Sequence, residues 1–140
     1  MQQRRRIVVT GMGCLSPVGH GVESFWQGLS EGKNGINTIT SFDASDLTTQ
    51  IAAEIHDFNP DDFMPKKESK RMDRVLQFAV AAAKMALEDA RLTVSPENCE
   101  HIGVSIGSGI GGMHTFEQQH QLLLEQGSRK VSPFFIPMMI

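Results

Sequence analysis

The sequence has little of what would define a secreted, membrane-spanning or nucleic-acid-binding protein. It holds two cysteines, Cys14 and Cys99, in 140 residues, which excludes a disulfide framework and fits a reducing compartment. No apolar run approaches the ~20 residues of a membrane span. The run after Arg4–Arg6 ends at Thr10, too early for a signal peptide. The net charge of −3 gives no reason to expect nucleic acid. We therefore expect a cytoplasmic protein with no membrane or nucleic-acid partner.

Residue patterns for metal binding or nucleophilic catalysis are also absent. The five histidines form no H-E-x-x-H motif and no pair at ligand spacing, so no metal site is predicted. Cys14 lies in a loop after the first apolar run. Cys99 has acidic neighbours at Glu97 and Glu100, which disfavour the thiolate. We expect two ordinary reduced cysteines, and we predict no catalytic residue and no cofactor within these residues.

The stretch from Ile102 to Gly112 is typical of a strand, a tight turn and the start of a helix. Apolar residues alternate with small ones through Ile106, which predicts a short buried strand. A helix is predicted from Met113 to a stop at Gly127. The glycines between strand and helix allow close backbone approach, and they are Gly107, Gly109, Gly111 and Gly112. Such a turn exposes N–H groups at a helix N-terminus, a place suited to an anion.

The same glycines satisfy the G-x-G-x-x-G spacing of dinucleotide-binding proteins. That interpretation needs a second strand, ending in an acidic residue about 20 residues further on. Glu125 is near that distance, but it lies in the last turn of the predicted helix. A dinucleotide-binding domain therefore stays an alternative to a plain strand-to-helix corner.

The length of 140 residues suits one domain with a core of its own, and the rest of the chain offers further elements. Ile7–Thr10 is predicted as a strand inside a layered fold, and Ile51–Ile55 as an edge strand. An amphipathic helix is predicted from Val22 to a stop near Gly32.

The longest helix is predicted over Ser69–Ala90, with Ser69 as its N-cap. Small residues on several of its sides predict that its later half is packed nearly all round. Lys70 and Arg71 would then lie in its first turn, where cations oppose the helix dipole by ~0.3–1 kcal/mol each. A placement that is unfavourable for the helix but attractive to an acidic partner indicates recognition.

The last residues, Ser132–Ile140, include six large apolar side chains among nine residues. Chain termini normally lie at the surface, whereas a segment this apolar normally runs into a core. We therefore expect the natural sequence to continue beyond Ile140.

Several motifs, taken in their order along the chain, together resemble β-ketoacyl-[acyl carrier protein] synthases. They are Val8–Gly13, Ser16–Gly19, Trp26, Gly32–Ile36, Arg71–Arg74, Ile106–Gly112 and Arg129–Pro137. The likeness extends over the whole chain and is closest to the type II, elongating synthases. The resemblance implies a thiolase-like α/β fold assembled as a homodimer, with residues 1–140 forming most of the first α/β half.

The resemblance also implies a reaction, the decarboxylating Claisen condensation of fatty-acid elongation. An acyl group moves from the phosphopantetheine of acyl carrier protein to an active-site cysteine. Malonyl-[acyl carrier protein] then loses carbon dioxide and attacks the thioester. The family's cysteine and its two histidines lie further along than these residues, so the segment alone is expected to be inactive.

By the same resemblance, Ile110 lines the fatty-acyl pocket and Phe135 reaches toward the pocket of the opposite subunit. Basic residues match the positions where such synthases dock the acidic carrier protein, and they are Lys67, Lys70, Arg71, Arg129 and Lys130. The plain alternatives are two core residues and a solvated charged surface. A further alternative function is a module without catalysis that binds carrier protein or pairs with a full synthase.

Overall fold

The computed structural model describes residues 5–140, so Arg4 of the N-terminal basic run lies outside the described residues. Short strands form two antiparallel ladders: β1 (Leu15–Ser16), β2 (Gly19–His20), β3 (Asn37–Thr38) and β4 (Ile51–Ala52). The helices are α1 (Val22–Ser30), α2 (Lys66–Ser69), α3 (Arg74–Asp89), α4 (Met113–Gln126) and α5 (Phe135–Met139). Single 3-10 turns cover Pro60–Asp62, Cys99–His101 and Ser128–Lys130.

The chain divides into two compact units. The first consists of residues 5–58 with Ala82–Thr93, and the second of Asn59–Ala81 with Val94–Ile140. Helix α3 therefore contributes its first half to the second unit and its second half to the first unit.

In the first unit, a hairpin of β1 and β2 precedes α1. Leu15 pairs with His20 and Ser16 with Gly19. The Ser16 hydroxyl accepts a hydrogen bond from the Gly19 N–H at 3.2 Å, which fixes the two-residue loop. The amphipathic helix predicted from Val22 is confirmed, although Trp26 on its apolar face is 69% exposed. Nearby, a Cβ at Gly13 would overlap the carbonyl oxygen of Ala82, so only glycine fits there.

The second ladder of this unit joins β3 to β4, with Asn37 opposite Ala52 and Thr38 opposite Ile51. The edge strand predicted at Ile51–Ile55 is thus formed in its first two residues. The Glu54 carboxylate accepts hydrogen bonds from the backbone N–H and hydroxyl groups of Thr40 and Ser41. These bonds, the Ser41 hydroxyl foremost, lower the pKa of Glu54 to about 2.

The second unit contains α2, α4, α5 and the start of α3. The helix predicted from Met113 to Gly127 is confirmed, because α4 ends at Gln126 and Gly127 follows in the left-handed region with φ +84°. Gln119 of α4 accepts a hydrogen bond from the Ser132 N–H at 2.7 Å. This bond fixes the segment that leads into α5 against α4.

The N-cap predicted for the longest helix is wrong. Ser69 ends the short helix α2, and its hydroxyl bonds the Asp61 carboxylate and the Lys66 carbonyl. The long helix begins at Arg74, and Asp73 caps it by accepting a hydrogen bond from the Val75 N–H. Ser and Asp are both favoured N-cap residues, and the chain turns between them instead of continuing as one helix.

The strands predicted at Ile7–Thr10 and through Ile106 are not formed within the described residues. Val9 is 80% exposed and Val104 is 82% exposed. An extended segment needs a neighbouring strand to satisfy its backbone N–H and C=O groups, and residues 5–140 supply no such partner to either segment. The fully packed later half of α3 is not formed either, because Ala81 is its only buried residue among those described.

Few of the described residues are buried; besides Gly28 and Gly112 they comprise four apolar and four polar side chains. The apolar ones are Ala44, Phe58, Met64 and Ala81, and the polar ones are Ser69, Asp73, Thr115 and Gln119. Every buried side-chain nitrogen or oxygen of the described residues has a hydrogen-bond partner. Across residues 5–140 no helix has both the length and the apolar composition required to span a membrane.

Candidate functional site

An apolar groove of about 520 Å³ lies in the second unit. Three stretches border it: the first turns of α3, the glycine turn before α4, and the end of α5. Its lining residues are Val75, Leu76, Ala79, Val80, Ile106, Ser108, Gly109, Ile110, Gly111, Met139 and Ile140. With Ser108 as the one polar side chain in this lining, the groove suits an alkyl chain, since each buried CH₂ gains ~0.8 kcal/mol.

Ile110 and Phe135, the two residues predicted to bind substrate, have different surroundings. Ile110 borders the groove and is 78% exposed in this chain. Phe135 is half-buried at the start of α5 and does not line the groove. Its ring packs against Phe116 of α4, with the two centroids 6.0 Å apart. The structure therefore brings Ile110, but not Phe135, to the groove.

The three stretches that border the groove meet at Asp73. Its carboxylate accepts a hydrogen bond from the Thr115 N–H at 2.9 Å, in the first turn of α4. It also accepts one from the Val75 N–H at 3.3 Å, in the first turn of α3. The Asp73 N–H donates to the Met138 carbonyl of α5 at 2.9 Å. One residue thus ties together the ends of three helices.

The hydrogen bonds at Asp73 outweigh its burial. Burial is the largest single influence on this carboxyl and opposes ionisation. Hydrogen bonds from the Thr115 side chain and backbone and from the Val75 N–H together act more strongly in the other direction, with a smaller effect from His114. The pKa of Asp73 is therefore lowered from its ordinary value, and the carboxylate is ionised at neutral pH.

The glycine turn fits around this carboxylate. A Cβ at Gly112 would lie 2.9 Å from both Cβ and Cγ of Asp73, closer than such atoms approach. The Gly112 N–H donates to the Met139 carbonyl at 2.9 Å, and Gly111 has a φ of +80°. The sequence predicted a place suited to an anion at the start of α4, and in this structure the anion there is the protein's own Asp73 carboxylate. Asp73 accepts the Thr115 N–H, while the Gly112 N–H donates to a backbone carbonyl.

The basic residues predicted to dock a carrier protein are all exposed: Lys67, Lys70, Arg71, Arg129 and Lys130. None of these five forms an ion pair with any residue in the described part of the chain. The Arg71 guanidinium lies over the Phe134 ring, 5.0 Å from its centroid. This contact links the segment after α2 to the segment that follows Arg129 and Lys130.

The helix-dipole reasoning for Lys70 and Arg71 does not hold. Both residues follow the C-terminal end of α2, and Lys70 is its C-cap. Cations are favourable near a helix C-terminus, so at these positions they do not oppose the dipole of α2. Their candidacy as docking residues therefore depends on their exposure, their lack of ion pairs and the resemblance.

A family model for "Beta-ketoacyl synthase, N-terminal domain" matches residues 4–140. The chain belongs to the beta-ketoacyl synthase family. Its sequence is 48% identical over 138 residues to the 3-oxoacyl-[acyl-carrier-protein] synthase 2 of Synechocystis sp., covering 99% of this chain and 33% of that protein. The chain thus spans about a third of the length of the curated relatives it matches.

Solved ketosynthase structures have the same fold. The ishigamide ketosynthase/chain length factor superposes with a TM-score of 0.77 at 32% identity, covering 99% of this chain and 34% of that one. A second structure is a type II PKS acyl-carrier protein in complex with its ketosynthase, bound to the hexaketide. It superposes with a TM-score of 0.75 at 21% identity, over 98% of this chain and 35% of that one, and this likeness shows the fold alone. The chain therefore has the fold of the N-terminal part of thiolase-like ketosynthases, as the resemblance implied.

Within this synthase domain, neither cysteine is built into a reactive site. Cys14 is half-buried next to the hairpin, where its carbonyl accepts from the Gly21 N–H at 2.8 Å. Cys99 is exposed, and its thiol contacts the Pro96 carbonyl at 3.6 Å. In the described residues no three metal-ligating side chains are grouped to hold an ion.

Sequence reasoning missed Asp73 and Thr115, although a signal for Asp73 was present. An aspartate directly before an apolar helical pattern is an N-cap signal in its own right. Thr115 carries no such signal, because its importance comes from a hydrogen bond to a residue 42 positions away.

Proposed function

We propose that the protein to which these residues belong is a 3-oxoacyl-[acyl-carrier-protein] synthase of fatty-acid elongation. The observation that carries this proposal is the 48% identity to a synthase of that name over nearly the whole chain. In the proposed reaction an enzyme cysteine thiolate attacks the acyl thioester on carrier protein, and the phosphopantetheine thiolate leaves as the acyl group moves to the enzyme. The malonyl C–C bond to the carboxylate then breaks and releases carbon dioxide. The resulting carbanion attacks the thioester carbonyl, and the thiolate leaves as the new C–C bond forms.

In this proposal the present residues bind and orient, and the chemistry is supplied by cysteine and histidine residues outside them. The apolar groove receives the alkyl part of the acyl group, with Ile110 on its border. Its composition supports this role, because an alkyl chain gains from each CH₂ that it buries and needs no polar partner. The hydrogen bonds that Asp73 accepts keep its carboxylate ionised, so in this proposal it donates no proton to the reaction.

The exposed basic residues are proposed to dock the acidic carrier protein, which brings the acyl and malonyl groups on its phosphopantetheine. The five cations are Lys67, Lys70, Arg71, Arg129 and Lys130. Their exposure and their lack of ion pairs among the described residues support this role, because an unpaired cation is free to attract an acidic partner. Exposed charge of this kind acts mainly on the association rate and on orientation.

A homodimer and a cytoplasmic location complete the proposal, with Phe135 reaching toward the pocket of the opposite subunit. In the present chain the Phe135 ring packs on Phe116. For its proposed role across the dimer, either the Phe135 ring turns away from Phe116 or the second subunit packs over both rings. Light scattering of the purified protein at its natural length tests the dimer directly.

The activity is tested with the protein at its natural length, acyl-[acyl carrier protein] and malonyl-[acyl carrier protein]. We expect a 3-oxoacyl product and one carbon dioxide per condensation. Carrier binding without carbon dioxide release would favour a module without catalysis. A thermal shift with nicotinamide or flavin nucleotide would favour a dinucleotide-binding domain.

The isolated 140-residue segment is the matched comparison, and we expect it to form no product. Product from this segment that survives Cys14→Ala and Cys99→Ala would contradict the proposed division of roles.

A further inference from the structure

Asp73 does not line the groove, yet it hydrogen-bonds one of the three stretches that do and residues that adjoin the other two. Val75 and Leu76 belong to the helix start that it caps. The glycine turn precedes Thr115, whose N–H it accepts, and Met139 follows Met138, whose carbonyl accepts from its N–H. Asp73 therefore holds the groove's three bordering stretches together without being part of the lining.

The close packing at this point leaves little freedom. Asp73 is 8% exposed and Thr115 is 4% exposed. Because Gly112 has no side chain, both Asp73 and Met139 can pack against the turn; a Cβ at Gly112 would lie 2.9 Å from the Met139 Cα. We call Asp73, Gly112 and Thr115 the junction. A change in the distances between these three residues would move Gly111 and Met139 relative to α3.

We propose that the junction is a specificity-determining device, in which Asp73 acts as a positioning residue that sets the length of alkyl chain the groove accepts. This inference depends on the proposed function, namely that the groove receives the acyl chain. A short chain fills part of the groove and tolerates a shift of one wall. A long chain contacts all three stretches, so it loses contacts when they move apart.

The test uses the protein at its natural length and a fluorescent polyene fatty acid that is displaced by hexanoate, dodecanoate or hexadecanoate. Asp73→Asn keeps the shape but places an amide NH₂ against one of two N–H donors. We expect the Kd of hexadecanoate to rise about tenfold and that of hexanoate to change less than about twofold. Asp89→Asn is the control, because it removes the same charge outside the groove lining while its amide oxygen still accepts the hydrogen bond from the Met12 N–H, and it should leave both constants unchanged.

A second pair of variants covers the case in which Asp73→Asn does not fold. Thr115→Val removes the hydroxyl that bonds Asp73 and keeps the shape of the side chain, whereas Thr115→Ser keeps the hydroxyl. We expect a loss of about threefold for hexadecanoate in the valine variant and recovery in the serine variant. A purely structural weakening would lower the affinity for all three acids equally, and that result would overturn the inference.

Ile110→Phe separates the two levels of the proposal. If it leaves displacement by hexadecanoate unchanged, the groove does not receive the chain, and both the proposed function of the groove and the inference fail. If it blocks hexadecanoate while the Asp73 and Thr115 variants keep the wild-type order of affinities, the inference alone is overturned.

Discussion

The Asp73 carboxylate accepts a hydrogen bond from the Thr115 N–H at 2.9 Å, and this bond joins the first turns of α3 and α4. A helix N-terminus carries partial positive charge and unsatisfied N–H groups. Here one buried carboxylate serves two of them, so the positive ends of two helices share a single internal anion. The glycine turn and the end of α5 are built around it.

The first prediction concerns pH. The folded-state pKa of Asp73 lies below its ordinary value of 3.8, so its ionised form stabilises the folded state. That contribution is fully present above the ordinary value and is lost as the pH falls through the folded pKa. We expect Asp73→Asn to lower the apparent Tm most near neutral pH and progressively less below a pH of about 4. Melting curves of both proteins across acidic buffers measure the difference.

The pKa of Glu54 is also lowered, to about 2, so its protonation destabilises wild type and Asp73→Asn alike as the pH falls. This effect therefore cancels in the Tm difference between the two proteins. A Tm difference between wild type and Asp73→Asn that stays constant from neutral pH into strong acid would contradict the assigned role of the charge.

The second prediction concerns the glycine turn. Gly112→Ala places a methyl group 2.9 Å from Asp73 and Met139, and we expect it to destabilise the fold by ~1–3 kcal/mol. Gly107→Ala is the matched control, because no atom lies within 4 Å of its added Cβ. It should be neutral or stabilising by ~0.4–1 kcal/mol. Chemical denaturation of both variants measures this; equal stability of the two would refute the close packing at the junction.

The third prediction concerns the basic surface. Reversing Lys70 and Arg71 to Glu should slow association with carrier protein, and the effect should shrink with added salt as screening over ~8–10 Å removes it. Stability should fall slightly. Two carboxylates would replace cations near the end of α2, and the Arg71 contact with Phe134, worth ~0.5–1 kcal/mol, would be lost.

Stopped-flow association at low and high salt checks this, with Lys33→Glu and Lys84→Glu together as a control of equal charge change in the first unit. If both double variants slow association equally, the effect is one of net charge and the docking surface is not at Lys70 and Arg71.

The parts of the fold that could be predicted were those set by local sequence. Helices α1 and α4 followed from apolar spacing and from glycine stops, which act within a few residues. The strands at Ile7–Thr10 and before Gly107 could not be judged locally, because a strand is formed only where a partner strand lies beside it. The family motifs predicted the fold class correctly even though these elements were wrong.

The same distinction explains the site. Ile110 was found through a motif, and the groove that it borders came only with the structure. Ser69 and Asp73 are equally good N-cap residues in sequence. Asp73 is the one that caps the long helix, and it is held there by hydrogen bonds to Thr115 and Met138, far along the chain. The glycine turn was correctly predicted to approach something closely. Its partner is the protein's own carboxylate, which no pattern near the glycines indicates.

The most direct test of the proposed function is the chain-length profile of condensation by the protein at its natural length, compared between wild type and Ile110→Phe. The extra ring volume costs ~1–3 kcal/mol where the groove cannot yield. We expect condensation of short acyl groups to be nearly unchanged and that of long acyl groups to fall about tenfold or more. An equal loss on short and long acyl groups, or no loss on either, would contradict the assignment of the groove to the acyl chain.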